Sequence, residues 1–151
     1  PSPFRRSTIA CTGIEYCKLA IVDTKDTATA TIDELEQRLG DLSQMKPLSL
    51  HVNGCPNSCA RIQTADIGLK GQLVMDDDGQ QVPGFQVHLG GGLASDDREV
   101  AGMGRTVRGL KVTADDLTDY VERVVRRYES DKDGSETFAE WAHRADEEAL
   151  R

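Results

Sequence analysis

Cysteine is scarce and confined in this chain of 151 residues: there are four, and none follows Cys59. That distribution does not fit a disulfide-stapled scaffold. It leaves the thiols as ligand or catalytic candidates. Long apolar runs are also missing. The longest fall far short of the roughly 20 residues that a spanning helix needs, so no membrane is expected as partner. No charged-then-apolar leader stands at the N-terminus, and a cytoplasmic location is the expectation. A basic stripe is absent as well. The net charge is −8 and the acidic residues are spread along the chain, which argues against nucleic acid as a partner. The one locally basic stretch runs from Arg98 to Lys111, with Arg105 and Arg108 between. It reads as a solvated loop, with docking of an acidic electron donor or an anionic cofactor as the alternative.

Two motifs are incomplete. Gly90-Gly91-Gly92 and Gly102-x-Gly104 do not build a G-x-G-x-x-G fingerprint between strand and helix, so they read as loop glycines. Asp131-x-Asp133-Gly134 has its glycine too early for a calcium loop and reads as a helix-breaking turn. The initiating methionine is absent too. Pro1, Pro3, Arg5 and Arg6 open the chain, and the expectation is a processed chain or an excised part of something longer.

Hydrophobic residues make up 38% and charged residues 29%, a balance that predicts one globular α+β domain over residues 1–151. Ser7 to Cys11 reads as a short extended segment. Residues 14 to 30 are weak helix material because of Thr24, Thr27, Thr29 and Thr31. A clearer helix begins at Thr31, with Glu34 completing a capping box, Ile32, Leu35 and Leu39 on one face, and Gly40 as the stop. Pro47 opens a strand, Leu48 to Val52, whose alternation points Leu48, Leu50 and Val52 inward and His51 outward. Residues 65 to 75 and Phe85 to Leu89 form a hairpin around an Asp76–Gly79 turn. A turn-rich stretch is predicted to about Gly109. The C-terminal third reads as helical. Thr113 is its cap, Leu117, Val121, Val124 and Tyr128 form one stripe of core or inter-domain packing, and Phe138, Trp141, Ala142 and Ala145 form a last helix.

The cysteines fall into two tight pairs, Cys11-x5-Cys17 and Cys55-x3-Cys59. Four thiolates match the ligand count of a [4Fe–4S] cluster. Soft sulfur also suits zinc and Cu(I). Structural zinc sites pair ligands two to four residues apart, and a five-residue gap is wide for them. Cluster, zinc and inert buried thiols therefore stay open on spacing alone. Turn formers surround the pairs: Thr12-Gly13 after Cys11, Gly54 and Pro56 around Cys55. They let backbone N–H groups curl toward sulfur or an anion.

These segments resemble a known family. ACTGIEYCKLAIVDTK (10 to 25) and HVNGCPNSCARIQTADIGLKG (51 to 71) look like the two halves of the siroheme and [4Fe–4S] signature of sulfite and nitrite reductases. GFQVHLGGG (84 to 92) resembles the segment that follows it. The resemblance is strong over about residues 4 to 93 and looser in the tail. The text around Cys55 and the ADEEALR-like ending are most similar to actinobacterial ferredoxin-dependent sulfite reductases. A ferredoxin-dependent nitrite reductase is the alternative, and a non-catalytic zinc- or cluster-binding module the second alternative.

The resemblance implies a nitrite/sulfite reductase 4Fe-4S domain-like fold and a cluster held by Cys11, Cys17, Cys55 and Cys59. It implies that Cys59 also bridges to the siroheme iron. Electrons would come from ferredoxin or a similar donor, for the six-electron reduction of sulfite to sulfide or of nitrite to ammonia. It further implies that basic residues for substrate and siroheme carboxylates lie in an N-terminal half that this chain does not contain, so that the chain is inactive alone. Asn57 is a candidate for the siroheme edge or a turn residue. Asn53 and Arg61 flank the loop, with Arg61 a candidate for a siroheme carboxylate or a surface ion pair. Tyr16 is read as packing around the cluster. His51, His88 and His143 carry little functional expectation.

Overall fold

The computed structural model describes residues 1–42, 45–46, 48–94 and 101–151. Among the described residues five strands make one mixed sheet in the order β1-β2-β3-β4-β5. They are β1 (Thr8–Ala10), β2 (Leu50–Asn53), β3 (Ile67–Met75), β4 (Gln81–Leu89) and β5 (Arg105–Thr113). β1 and β2 run parallel with Ala10 opposite Val52; β2 and β3 run parallel with Asn53 opposite Lys70. The other two pairings are antiparallel, with Leu69 opposite Val87 and Phe85 opposite Val112. The parallel connections put the ends of β1 and β2 side by side, and each of those ends runs into a cysteine pair.

Helices α1 (Pro3–Arg6), α2 (Lys25–Arg38), α3 (Leu117–Asp131) and α4 (Phe138–Arg144) complete the frame. One core joins Leu50, Val52, Ile67, Leu69, Phe85, Val87 and Leu89 of the sheet to Leu35, Val121, Val124 and Trp141 of the helices. Tyr128, Phe138 and Trp141 stack edge-on or tilted, with centroids 5.3 to 5.7 Å apart, a geometry aromatic rings favour. The Tyr120 hydroxyl donates to the Leu150 carbonyl at 2.7 Å and ties the C-terminus to α3. Burial pushes the Tyr120 phenol well above its ordinary range, so it stays a donor.

The predicted α+β class holds, as do the hairpin and the stripes of α3 and α4. Several expectations need correction. The helix predicted from Thr31 starts at Lys25, and Thr31 lies buried inside it. Its buried face is Ala28, Thr31, Ile32 and Leu35, so the apolar stripe begins a turn earlier than the capping-box text implied. α3 starts at Leu117; Thr113 ends β5 instead, its hydroxyl accepting from the Asp116 N–H. The end of the stretch read as turn-rich, residues 105 to 109, belongs to β5. A bulge there, with Gly109 at φ +75°, broke the alternation that marks a strand. Arg105 and Lys111 thus lie in a strand rather than a loop, and Arg105 donates to the Ala142 and Ala145 carbonyls at 3.0 and 2.6 Å, capping α4. His51 is buried, not outward, because β2 is an interior parallel strand covered on both faces. Pro47 and Arg98 lie outside the described residues.

α1 is held to α2 by charge. Arg5 donates to Glu36 at 2.9 and 3.0 Å and to Asp33 at 2.6 Å, and the Ser2 hydroxyl also donates to Glu36. The Arg5 hydrogen bonds, then that of Ser2, hold the Glu36 carboxyl down to about 2, from an ordinary 4.5. A lowered carboxylate contributes stability that is complete above its unfolded pKa and is lost as pH falls through the folded one. Thermal midpoints measured against pH are expected to show this contribution fading between about pH 4.5 and about pH 2. In Glu36→Gln that part of the acid slope should vanish; an unchanged slope would contradict the assignment.

Candidate metal centre

The first cysteine pair lies in the loop between β1 and α2. Cys11 extends β1 by one rung, its N–H donating to the Val52 carbonyl at 3.0 Å. Gly13 then turns the chain at φ +77°, and its carbonyl accepts from Tyr16 and Cys17 at 3.2 and 2.9 Å. The loop folds back until Ile21 and Val22 donate to the Gly54 carbonyl at 2.7 and 3.3 Å.

The second pair follows β2. Asn53 is fully buried and closes this loop on itself: its side chain donates to the Cys55 carbonyl at 2.8 Å and accepts from the Ala60 N–H at 2.7 Å. Cys55 and Cys59 are thereby clipped between two ends of one side-chain amide. Ser58 and Arg61 sit in the left-handed region at φ 63° and 55°, which costs energy for residues with a Cβ. Hydrogen bonds offset that cost. Arg61 donates to the Ser58 carbonyl at 2.9 Å, the Arg61 carbonyl meets the His51 ring nitrogen Nδ1 at 3.2 Å, and the Ser58 hydroxyl donates to Gln63.

Gly54 joins the loops. Its N–H donates to Cys11 Sγ at 3.2 Å while its carbonyl holds Ile21 and Val22. The fit is tight. A Cβ on Gly71 of β3 would come 2.4 Å from the Gly54 carbonyl carbon, one on Gly68 would come 1.9 Å from the Ile62 oxygen, and one on Gly91 would come 2.1 Å from the Gln63 oxygen. The second loop rests on bare backbone, which only glycine permits. Gly90 and Gly91 donate to the Asp66 and Ala65 carbonyls at 2.8 and 2.9 Å. Gly91, with Gly104, whose N–H donates to the Gln63 carbonyl at 2.7 Å, serves to seat this loop.

All four cysteines are free; Cys55 is buried, Cys11 and Cys17 are half-buried, and Cys59 is exposed. Among the described residues no three Cys, His, Asp or Glu side chains are grouped closely enough to hold one metal ion. A single ion needs every sulfur about 2.3 Å from one point. A four-iron cluster gives each thiolate its own iron and so spaces the sulfurs further apart. Four thiols on two adjoining loops, with a backbone N–H already aimed at one sulfur, fit the donor set of such a cluster.

The remaining candidates divide. Asn57 is exposed between Cys55 and Cys59, and Arg61 is exposed at the loop's end. Tyr16 does not pack inward: it is 71% exposed, beneath Lys25 Nζ at 4.7 Å from the ring centre. His143 Nε2 meets the Gly90 carbonyl at 3.0 Å, a structural contact. Burial, and then Lys70, lower the His88 pKa, which disfavours the charged ring. Sequence reasoning named Asn53 only as a flank and missed its role as the clip. It named Thr24 only as poor helix material and missed that its hydroxyl donates to the Cys11 carbonyl at 2.7 Å, since nothing local marks a threonine that bonds a residue 13 positions away.

The chain matches the family model described as the nitrite and sulphite reductase 4Fe-4S domain over residues 2–151. It is 54% identical to "Sulfite reductase [ferredoxin] 1" of Mycolicibacterium paratuberculosis over 100% of this chain and 27% of that protein. It is 44% identical to "Ferredoxin--nitrite reductase" of Synechococcus elongatus, over 64% of this chain and 18% of the relative. The solved structure of the Mycobacterium tuberculosis NirA protein superposes with a TM-score of 0.92 at 50% identity, covering 100% of this chain and 27% of that one. The chain thus spans about a quarter of the length of its sulfite reductase relative.

Gly68→Ala is expected to destabilise the chain by ~3 kcal/mol or to prevent folding, because the added methyl meets backbone rather than a flexible side chain. Gly40→Ala, where a Cβ meets nothing within 4 Å, should fall within about 0.5 kcal/mol of the parent. Urea denaturation of the three proteins checks both; equal midpoints would refute the close seating of the second loop.

Proposed function

We propose that this chain, which belongs to the nitrite and sulphite reductase 4Fe-4S domain family, is the cluster-binding part of a ferredoxin-dependent sulfite reductase. In this reading Cys11, Cys17, Cys55 and Cys59 ligate a [4Fe–4S] cluster, and Cys59 also reaches the iron of siroheme. The observation that carries it is the Gly54 peptide, which binds the first cysteine loop through its carbonyl and the Cys11 sulfur through its N–H. The 54% identity to a ferredoxin sulfite reductase across the whole of this chain, against 44% over 64% of it and 30% over 93% of it for two nitrite reductases, favours sulfite as substrate.

When bound, the coupled cofactors would supply the one-electron relay that a six-electron reduction requires. The chain's own residues do the holding. Asn53 fixes the Cys55–Cys59 loop, and Gly54 hydrogen-bonds one sulfur. Cys55 is screened from water while Cys59 is open at the surface, where a second group can be met. Exposed Asn57 lies beside it as a candidate contact to the siroheme edge. The substrate-binding and carboxylate-binding groups belong, in this proposal, to a preceding half of a longer enzyme. Free thiols suit a reducing cytoplasmic setting. Among the described residues no helix is long and apolar enough to cross a membrane.

Anaerobic reconstitution of the chain with iron and sulfide is expected to give a brown protein with about four irons. Cys59→Ser should lose the cluster and, in the complete enzyme, siroheme with it. A colourless product holding one zinc would overturn the cluster. In the complete enzyme with reduced ferredoxin, turnover of nitrite but not sulfite would replace the substrate reading with the nitrite alternative.

A further inference from the structure

Thr24 stands at the N-cap of α2, where a threonine hydroxyl normally accepts a hydrogen bond from the first turn of the helix. Here it makes no such bond. The side chain is fully buried, and its hydroxyl donates to the Cys11 carbonyl at 2.7 Å. The same oxygen lies 3.8 Å from Cys11 Sγ. Space for it is kept open by Gly13, whose Cβ would come 2.4 Å from the Thr24 oxygen. A buried hydroxyl withdrawn from its helix and turned on a ligand candidate needs a reason. The Cys11 backbone supplies one. Its N–H is fixed to Val52, its carbonyl to Thr24, and between those anchors the side chain is presented to the Gly54 N–H.

We infer that Thr24 is a positioning residue for Cys11: by clamping the Cys11 carbonyl it holds the sulfur against the Gly54 N–H and thereby raises the reduction potential of the cluster this chain binds. The inference rests on the cluster reading above. Its physical basis is that a hydrogen-bond donor at a cluster sulfur favours the reduced, more negative state. Loosening the clamp lets the sulfur drift from that donor.

The test uses the full chain with Thr24→Val, which keeps the branched shape and loses the hydroxyl, and Thr24→Ser, which keeps the hydroxyl. Two readouts are taken. In the cluster-free chain, hydrogen exchange of the Gly54 amide is followed by NMR. Thr24→Val should speed it roughly three- to tenfold, the scale of one weakened hydrogen bond, with Thr24→Ser at the parent rate. In the reconstituted chain, a redox titration followed by electron paramagnetic resonance should place Thr24→Val at a more negative potential than the parent, with Thr24→Ser restoring it. Thr24→Ala, which adds no methyl against the Cys11 carbonyl, replaces Thr24→Val if the latter does not fold. Parent-like exchange and potential in the hydroxyl-free variant would overturn the inference. Failure of the unsubstituted chain to take up a cluster would overturn the function reading and the potential with it, while the amide exchange still decides the clamp.

Discussion

One peptide unit, Gly54, lies between the two cysteine loops and touches both. Its N–H faces the Cys11 sulfur, its carbonyl takes the returning backbone at Ile21 and Val22, and its carbonyl carbon presses on β3 at Gly71. The first loop has no helix or strand of its own to set its position, and the second has only the single 3-10 turn Ile62–Thr64 at its end. Without this contact the first loop would be fastened chiefly through Cys11 and Thr24 at its two ends. The parallel pairing of β1 with β2 makes the contact reachable, because it delivers the ends of both strands to the same place.

The rest of the fold supports that junction. The core of helices and sheet lies behind it, with Phe85, Val87 and Leu89 facing Trp141 and its neighbours. The face toward the second loop is kept bare at Gly68 and Gly91, so that backbone can lie on backbone. Strain at Ser58 and Arg61 is confined to that loop and is met there by hydrogen bonds to His51 and Gln63. Surface charge has a separate role. Arg38 pairs with Glu34, Asp119 and Glu122, and Arg126 with Asp41 and Glu122, which laces α2 to α3 at exposed positions worth little individually.

Much of this was legible in the residues. The cysteine spacing and its glycine-rich flanks pointed to a thiolate site, and the hairpin around Asp76–Gly79 and the stripes of α3 and α4 carry strong local periodicity. Most of the failures share a cause: they depended on a distant partner. Thr31 looked like a cap because Glu34 follows it, yet the core reaches one turn further and takes Ala28. His51 alternates with apolar neighbours, yet a parallel interior strand has no wet face. β5 was hidden by its own bulge. Thr24 reads as poor helix material and Asn53 as a mere flank of its loop until the fold places Cys11 beside one and Cys55 with Ala60 around the other.

The claim on which the account turns is that both cysteine pairs serve one centre across the Gly54 peptide. A crystal structure of the chain reconstituted and grown without oxygen tests it most directly. The account predicts one four-iron cluster ligated by Cys11, Cys17, Cys55 and Cys59, with the Gly54 nitrogen still within hydrogen-bonding reach of Cys11 Sγ. Iron or zinc held by one pair alone, with the other pair's thiols turned away, would contradict it.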